Sequence, residues 1–305
     1  MKALITGSEG FVGKYLRAEL EENGYGVVGA DVAPGAEEVV DLLDAEAVRN
    51  LIARTQPGVI FHLAGQADVG KSWKLPQLTF RLNVTAAVNV MEAVRAVSGE
   101  KTRIVIVGSS DQYGRLGAAG ENVNEETEMK PATPYAVSKR AQEEMARLYV
   151  SAYGMEICMT RSFNHGGAGQ KKGFMIPDFA SGITAVERGT QEALSVGNLA
   201  SRRDFTHVKD IVRAYRLIAE KGKNGEAYNV GSGNTYSARE VLDRLRALAL
   251  REIPVRQDPA RMRPSDTPVI RCDHTKLTRD TGWEPRLTLE DILKDTLAYY
   301  RGLPD

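Results

Sequence analysis

Tyr135 and Lys139 are the pair of residues in this sequence best suited to acid–base chemistry. They lie four positions apart in the run Thr-Pro-Tyr-Ala-Val-Ser-Lys, and on a helix that spacing puts both side chains on one face. An ammonium group beside a phenol favours the phenolate and therefore lowers the pKa of the phenol. A tyrosine that titrates nearer neutrality can exchange a proton with a carbonyl or an alcohol, as nicotinamide redox chemistry requires.

A glycine-rich turn near the N-terminus indicates where such an enzyme would hold its cofactor. A short apolar run typical of a buried strand precedes Gly7, Gly10 and Gly13, and an amphipathic run typical of a helix follows them. A glycine turn between a strand and a helix favours the binding of a pyrophosphate, because the free N–H groups at the helix N-terminus and the helix dipole attract negative charge. We therefore expect the turn, including Phe11 and Val12, to bind a dinucleotide.

The second predicted strand ends at an acidic residue that bears on the choice of cofactor. Residues 26–30 are mostly apolar and Asp31 follows them, at the interval expected for a carboxylate that hydrogen-bonds a ribose hydroxyl. That carboxylate would repel a 2′-phosphate. The sequence thus favours NAD(H), with NADP(H) as the second possibility.

Predicted strands and helices alternate up to about residue 161. The helices lie near 44–54, 79–97 and 135–153, and the strands near 59–63, 103–108 and 156–161. This alternation predicts an α/β fold, a doubly wound parallel sheet of the Rossmann type, with a smaller C-terminal substrate lobe. We assign residues 1–164 and 205–234 to the NAD(P)-binding domain, and 165–204 and 235–305 to a smaller lobe that closes over the cofactor and holds the substrate.

Further motifs give the whole chain a resemblance to the extended short-chain dehydrogenase/reductase family. Beyond the glycine turn, the matching residues are Asp41, Leu42, the run His62-Leu63-Ala64-Gly65, Asn83, Ser109, Tyr135 and Lys139. The resemblance implies that Ser109, Tyr135 and Lys139 form the catalytic set. It also implies cofactor contacts for Asp41, Leu42, Leu63, Ala64, Gly65, Asn83, Tyr135 and Lys139. Gly65 departs from the pattern, because the family usually has alanine there.

Motifs in the second half of the chain resemble the family's nucleotide-sugar enzymes, and most closely its GDP-sugar branch. Arg203 lies in Arg-Asp-Phe-Thr-His-Val, and Arg263 and Asp266 lie in Arg-Pro-Ser-Asp. The resemblance implies that both arginines bind the pyrophosphate, for which guanidinium groups are suited, and that Asp266 lies near the ribose. Asn164, in a Phe-Asn-His signature, and Ser110 are expected to contact the substrate.

Asp111 separates two reactions of that branch. Dehydration needs a carboxylate that removes a proton from carbon 5 of the sugar, and the dehydratases have glutamate where this chain has the shorter aspartate. A misplacement of about 1 Å can cost on the order of a hundredfold in rate. A 4-keto reductase needs no such base, because Tyr135 protonates the forming alkoxide and Ser109 orients the carbonyl while NADH supplies hydride. Asp111 is then either a proton-handling residue or a hydrogen-bonding residue of the loop.

The resemblance favours reduction of the 4-keto group of a GDP-4-keto-6-deoxy-hexose, which forms GDP-rhamnose. Residues 166–170, Gly-Gly-Ala-Gly-Gln, also resemble the reductases more than the dehydratases. Three alternatives stay open: GDP-mannose 4,6-dehydration or another nucleotide-sugar dehydration, 4-epimerisation, and cofactor binding without catalysis. Net consumption of the reduced cofactor separates the reductase from the other enzymes.

Composition limits the partners. The 40 basic and 40 acidic residues leave no net charge, so no long-range field recruits nucleic acid or an anionic membrane. No apolar run approaches the roughly 20 residues that span a bilayer, and the first residues lack a signal-peptide pattern, so we expect a cytoplasmic protein. The four histidines have no ligand spacing, and we predict no metal site.

We also expect a homodimer. Relatives in the family pair through the helices that correspond to residues 79–97 and 135–153. The apolar residues that could form the contact are Val84, Val88, Met91, Met145 and Leu148. Some of these must instead face the sheet.

Overall fold

A parallel sheet of seven strands organises the computed structural model, which describes residues 1–98, 102–114, 121–259 and 270–304. Its strands are β1 (Lys2–Thr6), β2 (Gly26–Asp31), β3 (Glu38–Val39), β4 (Val59–His62), β5 (Arg103–Ser109), β7 (Ile157–Ser162) and β12 (Ala227–Val230). Their spatial order is β12-β7-β5-β4-β1-β2-β3. The strand order reverses between β1 and β4, and ligands of such sheets bind at the carboxyl ends of the strands beside this point. The predicted doubly wound parallel sheet is confirmed.

Helices lie on both faces of this sheet and beyond it. They are α1 (Phe11–Glu22), α2 (Ala45–Thr55), α3 (Val69–Lys74), α4 (Pro76–Phe80), α5 (Ala86–Val97), α6 (Pro134–Tyr153), α7 (Met175–Glu187), α8 (Val208–Lys221), α9 (Ala238–Ala247), α10 (Thr275–Thr281) and α11 (Leu289–Gly302). One core cluster joins the sheet to α2, α5 and α6, and a second joins it to α1, α8 and α10. The strands β4, β7 and β12 are buried along their whole length, as expected for a sheet that is covered twice.

The helix predicted over 79–97 is divided in the structure. A π-helical turn, Arg81–Thr85, separates α4 from α5. Such turns often occur at functional sites, and this one contains Asn83, whose side chain is fully buried. The helix predicted over 135–153 is α6, which begins at Pro134 after the N-cap Thr133 and ends before Gly154 in the left-handed conformation.

Residues beyond the main sheet form a further hydrophobic cluster, made of α7, α9, α11 and their neighbours. Short strands complete the structure: β6 (Glu121–Val123), β8 (His165–Gly166), β9 (Leu194–Val196), β10 (Arg202–Asp204), β11 (Thr206–His207), β13 (Thr235–Ser237), β14 (Val255–Gln257) and β15 (Ile270–Cys272). Leu277 and Trp283 nevertheless pack in the cluster of the main sheet. The division into two domains stays a prediction.

Met91, one of the five candidate dimer residues, faces the sheet instead. It is fully buried in the core of the single chain and does not contribute to a dimer contact. Val88 and Met145 are partly buried against the same core, whereas Leu148 is 56% exposed. None of the helices within the described ranges is both long and apolar enough to cross a membrane.

Candidate active site

The glycine turn between β1 and α1 has the close backbone approaches that require glycine. Gly7 has a φ of 76°, and a Cβ there would lie 2.9 Å from Ala64 N. At Gly13 a Cβ would lie 2.4 Å from Gly7 O, so the first turn of α1 packs directly on the loop. Gly10 is the N-cap of α1, and within the described residues no side chain caps this helix end. The backbone N–H groups of Phe11 and Val12 therefore fit a pyrophosphate.

The predicted ribose and adenine residues lie beside this turn. Asp31, at the end of β2, is half-buried and accepts hydrogen bonds from Glu9 N–H and Ala33 N–H, both of 3.1 Å. Asp41 is exposed and its carboxylate accepts from Leu43 N–H at 2.9 Å, whereas Leu42 is buried in the core. These contacts fix the Asp31 carboxylate, which fits the predicted contact with ribose.

The segment after β4 is joined to the helix that carries Tyr135 and Lys139. Leu63 and Ala64 follow β4 and donate backbone hydrogen bonds to the end of β1. A Cβ on Gly65 would lie 2.6 Å from Asn83 Oδ1 and 3.8 Å from Lys139 Nζ. Glycine at this position therefore lets Asn83 approach the loop closely.

Asn83 braces the site, with every polar atom of its side chain bonded to protein. Its Oδ1 accepts from Gln66 N–H at 2.7 Å. Its Nδ2 donates to Gln66 O at 3.1 Å and to Ser138 Oγ at 2.9 Å. The geometry supports a role in holding the cofactor loop against α6.

Ser109 is the last residue of β5 and opens a short 3₁₀ helix, Ser110–Tyr113. Its Oγ accepts from Asp111 N–H at 3.2 Å, and its backbone N–H donates to Gln112 Oε1 at 2.9 Å. Because Oγ accepts this bond, the hydroxyl hydrogen of Ser109 can point elsewhere. Ser110, in the same turn, is buried.

Tyr135 lies next to this turn, but its pKa shifts opposite to the expectation. Burial and the charge of Asp111 raise the pKa of Tyr135 above its ordinary value, and a hydrogen bond with Ser109 only partly offsets them. The prediction that Lys139 gives a lowered pKa is therefore wrong. Lys139 Nζ donates to Val107 O at 2.8 Å and to Gln142 Oε1 at 3.0 Å instead. Burial lowers the pKa of Lys139 to about 8.

Asp111 connects the predicted catalytic and substrate residues. Burial raises the pKa of the Asp111 carboxyl, and the positive charge of Arg203 partly opposes this shift. Arg203, in β10, therefore lies near the same carboxylate whose charge acts on Tyr135. Asn164, two residues beyond β7, is exposed, and its carbonyl oxygen accepts from Thr206 N–H at 3.0 Å. Arg263 and Asp266 lie outside the described residues.

Sequence reasoning missed the residues that hold this site together. They are Gln66, Gln112, Ser138, Gln142, Glu143 and Arg161. The sequence did contain a signal for Glu143. It follows Lys139 by four positions, which places the two side chains on the same face of the helix. The others are recognisable only from their partners in the fold.

Comparison with known proteins agrees with the fold and with the family resemblance. Residues 4–296 match the family described as GDP-mannose 4,6 dehydratase. The chain is 34% identical over 302 residues to GDP-6-deoxy-D-mannose reductase of Pseudomonas aeruginosa, covering 97% of this chain and 96% of that protein.

Solved structures show the same similarity. The structure of RMD from Pseudomonas aeruginosa complexed with NADPH has a TM-score of 0.90 at 31% identity and covers 98% of both chains. The UDP-glucose 4-epimerase of Thermus thermophilus in complex with NAD has a TM-score of 0.88 at 26% identity and covers 99% of both chains. The predicted resemblance is confirmed, and the chain belongs to the GDP-mannose 4,6-dehydratase family.

Proposed function

We propose that the protein reduces the 4-keto group of a GDP-4-keto-6-deoxy-hexose with NAD(P)H and so forms GDP-rhamnose. The observation that carries this proposal is the hydrogen bond between Ser109, at the end of β5, and Tyr135 of α6, in a chain that is 34% identical over 97% of its length to a GDP-6-deoxy-D-mannose reductase. Burial and Asp111 raise the pKa of Tyr135, so the phenol keeps the proton that a donor to a ketone needs. A dehydratase or an epimerase begins by oxidising an alcohol, for which the phenolate is the useful form.

Each catalytic residue then has a distinct task. The Ser109 hydroxyl, whose oxygen already accepts from Asp111 N–H, would donate its hydrogen to the carbonyl oxygen. Tyr135 would transfer its proton to that oxygen as the alkoxide forms. The Lys139 ammonium, close to Gly65, would bind the nicotinamide ribose. The cofactor supplies the hydride.

Substrate recognition is proposed for the polar residues around Asp111. Arg203 would bind the pyrophosphate of the GDP-sugar, because its guanidinium lies near Asp111 and so near the reacting end of the site. Ser110 and Asn164 follow the ends of the neighbouring strands β5 and β7 and are proposed to contact the sugar. Arg263 and Asp266 keep their predicted contacts with pyrophosphate and ribose. The name of the Pseudomonas aeruginosa relative supports a GDP-sugar substrate.

Absorbance at 340 nm tests the reaction directly. Purified protein is incubated with NADH and GDP-4-keto-6-deoxy-mannose, in parallel with Tyr135→Phe. Stoichiometric loss of NADH is expected, and the variant should be slower by about a hundredfold to ten-thousandfold, as for loss of a general acid. An absence of NADH consumption by the native protein would overturn the reductase assignment.

GDP-mannose 4,6-dehydration is the second candidate, and the placement of Asp111 favours it. A buried carboxylate whose pKa is raised is a stronger base than an ordinary aspartate, and its charge acts on Tyr135. Conversion of GDP-mannose to a keto sugar without net change at 340 nm would establish this activity. The same assay with NADH and the keto sugar separates the two reactions.

A homodimer is proposed through α6 and its neighbours. Val137 and Leu148 are 41% and 56% exposed, and eleven positions on a helix bring them to the same face. Leu148→Glu should convert the dimer to a monomer in light scattering, whereas Leu250→Glu, at a residue that is 79% exposed and outside α6, is the matched control. A native protein that is monomeric at micromolar concentration would contradict the proposal. A cytoplasmic location stays a prediction.

A further inference from the structure

A buried polar network lies behind the strand end that carries Ser109. Its members Gln112, Glu143 and Arg161 are 0%, 2% and 2% exposed. They belong to three separate elements, the 3₁₀ helix after β5, the helix α6 and the strand β7. Burial of charged groups is costly unless their partners are well placed, so the contacts of this network are informative.

Gln112 joins the Ser109 backbone to the network. Its Oε1 accepts from Ser109 N–H at 2.9 Å, and its Nε2 donates to Glu143 Oε2 at 2.7 Å. A glycine at position 108 makes this possible, since a Cβ on Gly108 would lie 2.6 Å from Gln112 Oε1. The side chain of Gln112 is thus fixed at both ends.

Glu143 is held in turn by Arg161 through two parallel hydrogen bonds. Arg161 Nε donates to Glu143 Oε2 at 3.0 Å and Nη2 donates to Oε1 at 2.7 Å. The remaining nitrogen of Arg161 donates to Tyr113 Oη at 3.0 Å and to Glu125 O at 2.9 Å. A bidentate pair with satisfied donors is a rigid support.

The position of Glu143 on α6 links the network to the predicted catalytic residues of that helix. Glu143 follows Lys139 by four residues and Tyr135 by eight, and this spacing places the three side chains along one side of the helix. The network therefore connects the Ser109 strand end to the same side of α6 that carries Tyr135 and Lys139. Ser109 and Tyr135 contribute from different elements, so their relative position depends on such a connection.

We propose that Gln112, held by Glu143 and Arg161, is a positioning residue that keeps the Ser109 hydroxyl directed at Tyr135 and the substrate carbonyl. Gln112 touches neither group directly and acts through the Ser109 backbone. The catalytic part of this proposal rests on the proposed function. The structural part, the restraint on the Ser109 amide, does not depend on it.

Gln112→Leu tests the proposal, because it keeps the approximate size and removes both hydrogen bonds while leaving the Glu143–Arg161 pair. We expect kcat to fall about tenfold to a hundredfold, as for a small misplacement of a reacting group, with little change in KM for NADH. Amide hydrogen exchange at Ser109 should become faster. Arg147→Gln is the matched control, since it removes the hydrogen bonds of 3.0 and 3.3 Å that the half-exposed Arg147 side chain donates to the same carboxylate.

A charge exchange distinguishes positioning from simple loss of stability. Gln112→Glu alone places two carboxylates together and should be impaired. Adding Glu143→Gln restores a donor–acceptor pair between the two positions, keeps an acceptor for Ser109 N–H and leaves one negative charge in the network. Recovery should be partial, because the new amide nitrogen no longer accepts from Arg161 Nε, while the new amide oxygen can still accept from Nη2. We expect kcat of the double variant to be about tenfold above that of Gln112→Glu, by the same positioning argument.

Native kcat and native Ser109 exchange in Gln112→Leu would overturn the proposal, and so would a charge exchange that recovers nothing. If Gln112→Leu fails to fold, the comparison of Gln112→Glu with the double variant decides. If the native protein turns over no keto sugar, the proposed function fails separately. Ser109 exchange in Gln112→Leu and in Arg147→Gln then decides the positioning role alone.

Discussion

The side-chain amide of Asn83 donates a hydrogen bond of 2.9 Å to Ser138 Oγ, which ties a π-helical turn to the helix that carries Tyr135 and Lys139. Ser138 Oγ donates onward to Tyr135 O at 2.7 Å. The loop expected to contact the cofactor and the predicted catalytic helix are therefore parts of one hydrogen-bonded unit.

Asn83→Ala should destabilise the fold before any question of catalysis arises. The substitution removes all three hydrogen bonds of a fully buried side chain, to Gln66 N–H, Gln66 O and the buried Ser138 Oγ. A polar group left unsatisfied in the interior costs about 1–3 kcal/mol. We expect the free energy of unfolding in urea to fall by about 2 kcal/mol. Asn23→Ala is the control, because Asn23 Nδ2 donates to Glu19 O at an exposed site. Equal losses in both variants would contradict the bracing role.

The lowered pKa of Lys139 predicts a basic limb in the pH profile. As pH rises through about 8, the free enzyme loses the ammonium charge, whereas Tyr135, whose pKa is raised, stays protonated. The value of kcat/KM reports the free enzyme, so it should fall above about pH 8. Lys139→Arg should lose this limb even if the overall rate drops, since arginine keeps its charge. A limb that persists unchanged in Lys139→Arg would assign it to another group.

Asp31 predicts a preference for NADH over NADPH. Its carboxylate is fixed by two backbone N–H groups at the end of β2, and it would face a 2′-phosphate of like charge. Asp31→Asn should raise kcat/KM for NADPH relative to NADH by about tenfold, a modest value for a solvent-screened charge pair. Glu46→Gln, an exposed acid in the first turn of α2, is the control. An unchanged cofactor ratio would show that Asp31 does not face the 2′-position.

Asp111→Asn separates the two candidate reactions from inside the site. Reduction needs no carboxylate at carbon 5, so we expect the variant to keep reductase activity within about tenfold of the native protein at pH 7. The pKa of Tyr135 should also fall, because the charge of Asp111 is one cause of its elevation. A loss of reductase activity as large as that of Tyr135→Phe would instead assign Asp111 to proton transfer.

Local sequence was sufficient for the parts of the site whose geometry is local. The glycine turn could be predicted because Gly7 and Gly13 have no substitute where a backbone passes within 3 Å of the Cβ position. The common face of Tyr135 and Lys139 could be predicted because helical periodicity relates any residues four positions apart. The parallel sheet followed from the alternation of elements.

The remaining features depend on contacts between distant segments. Met91 is an apolar residue that could equally face a partner subunit or the core. The packing of α5 against the sheet places it in the core. The pKa of Tyr135 rises because the fold buries it beside Asp111, and Lys139 turns to Val107 O instead of the phenol. Neither effect is encoded in the four-residue spacing.

The sequence by itself determined the family, the glycine turn and the side of α6 on which the predicted catalytic residues stand. Tertiary structure decided the protonation of Tyr135, the brace through Asn83 and the support of Ser109 by Gln112, Glu143 and Arg161. The physical reason is the separation along the chain over which each effect acts. Backbone periodicity acts over a few residues, whereas desolvation and buried hydrogen bonds arise only when segments far apart in the chain exclude water together.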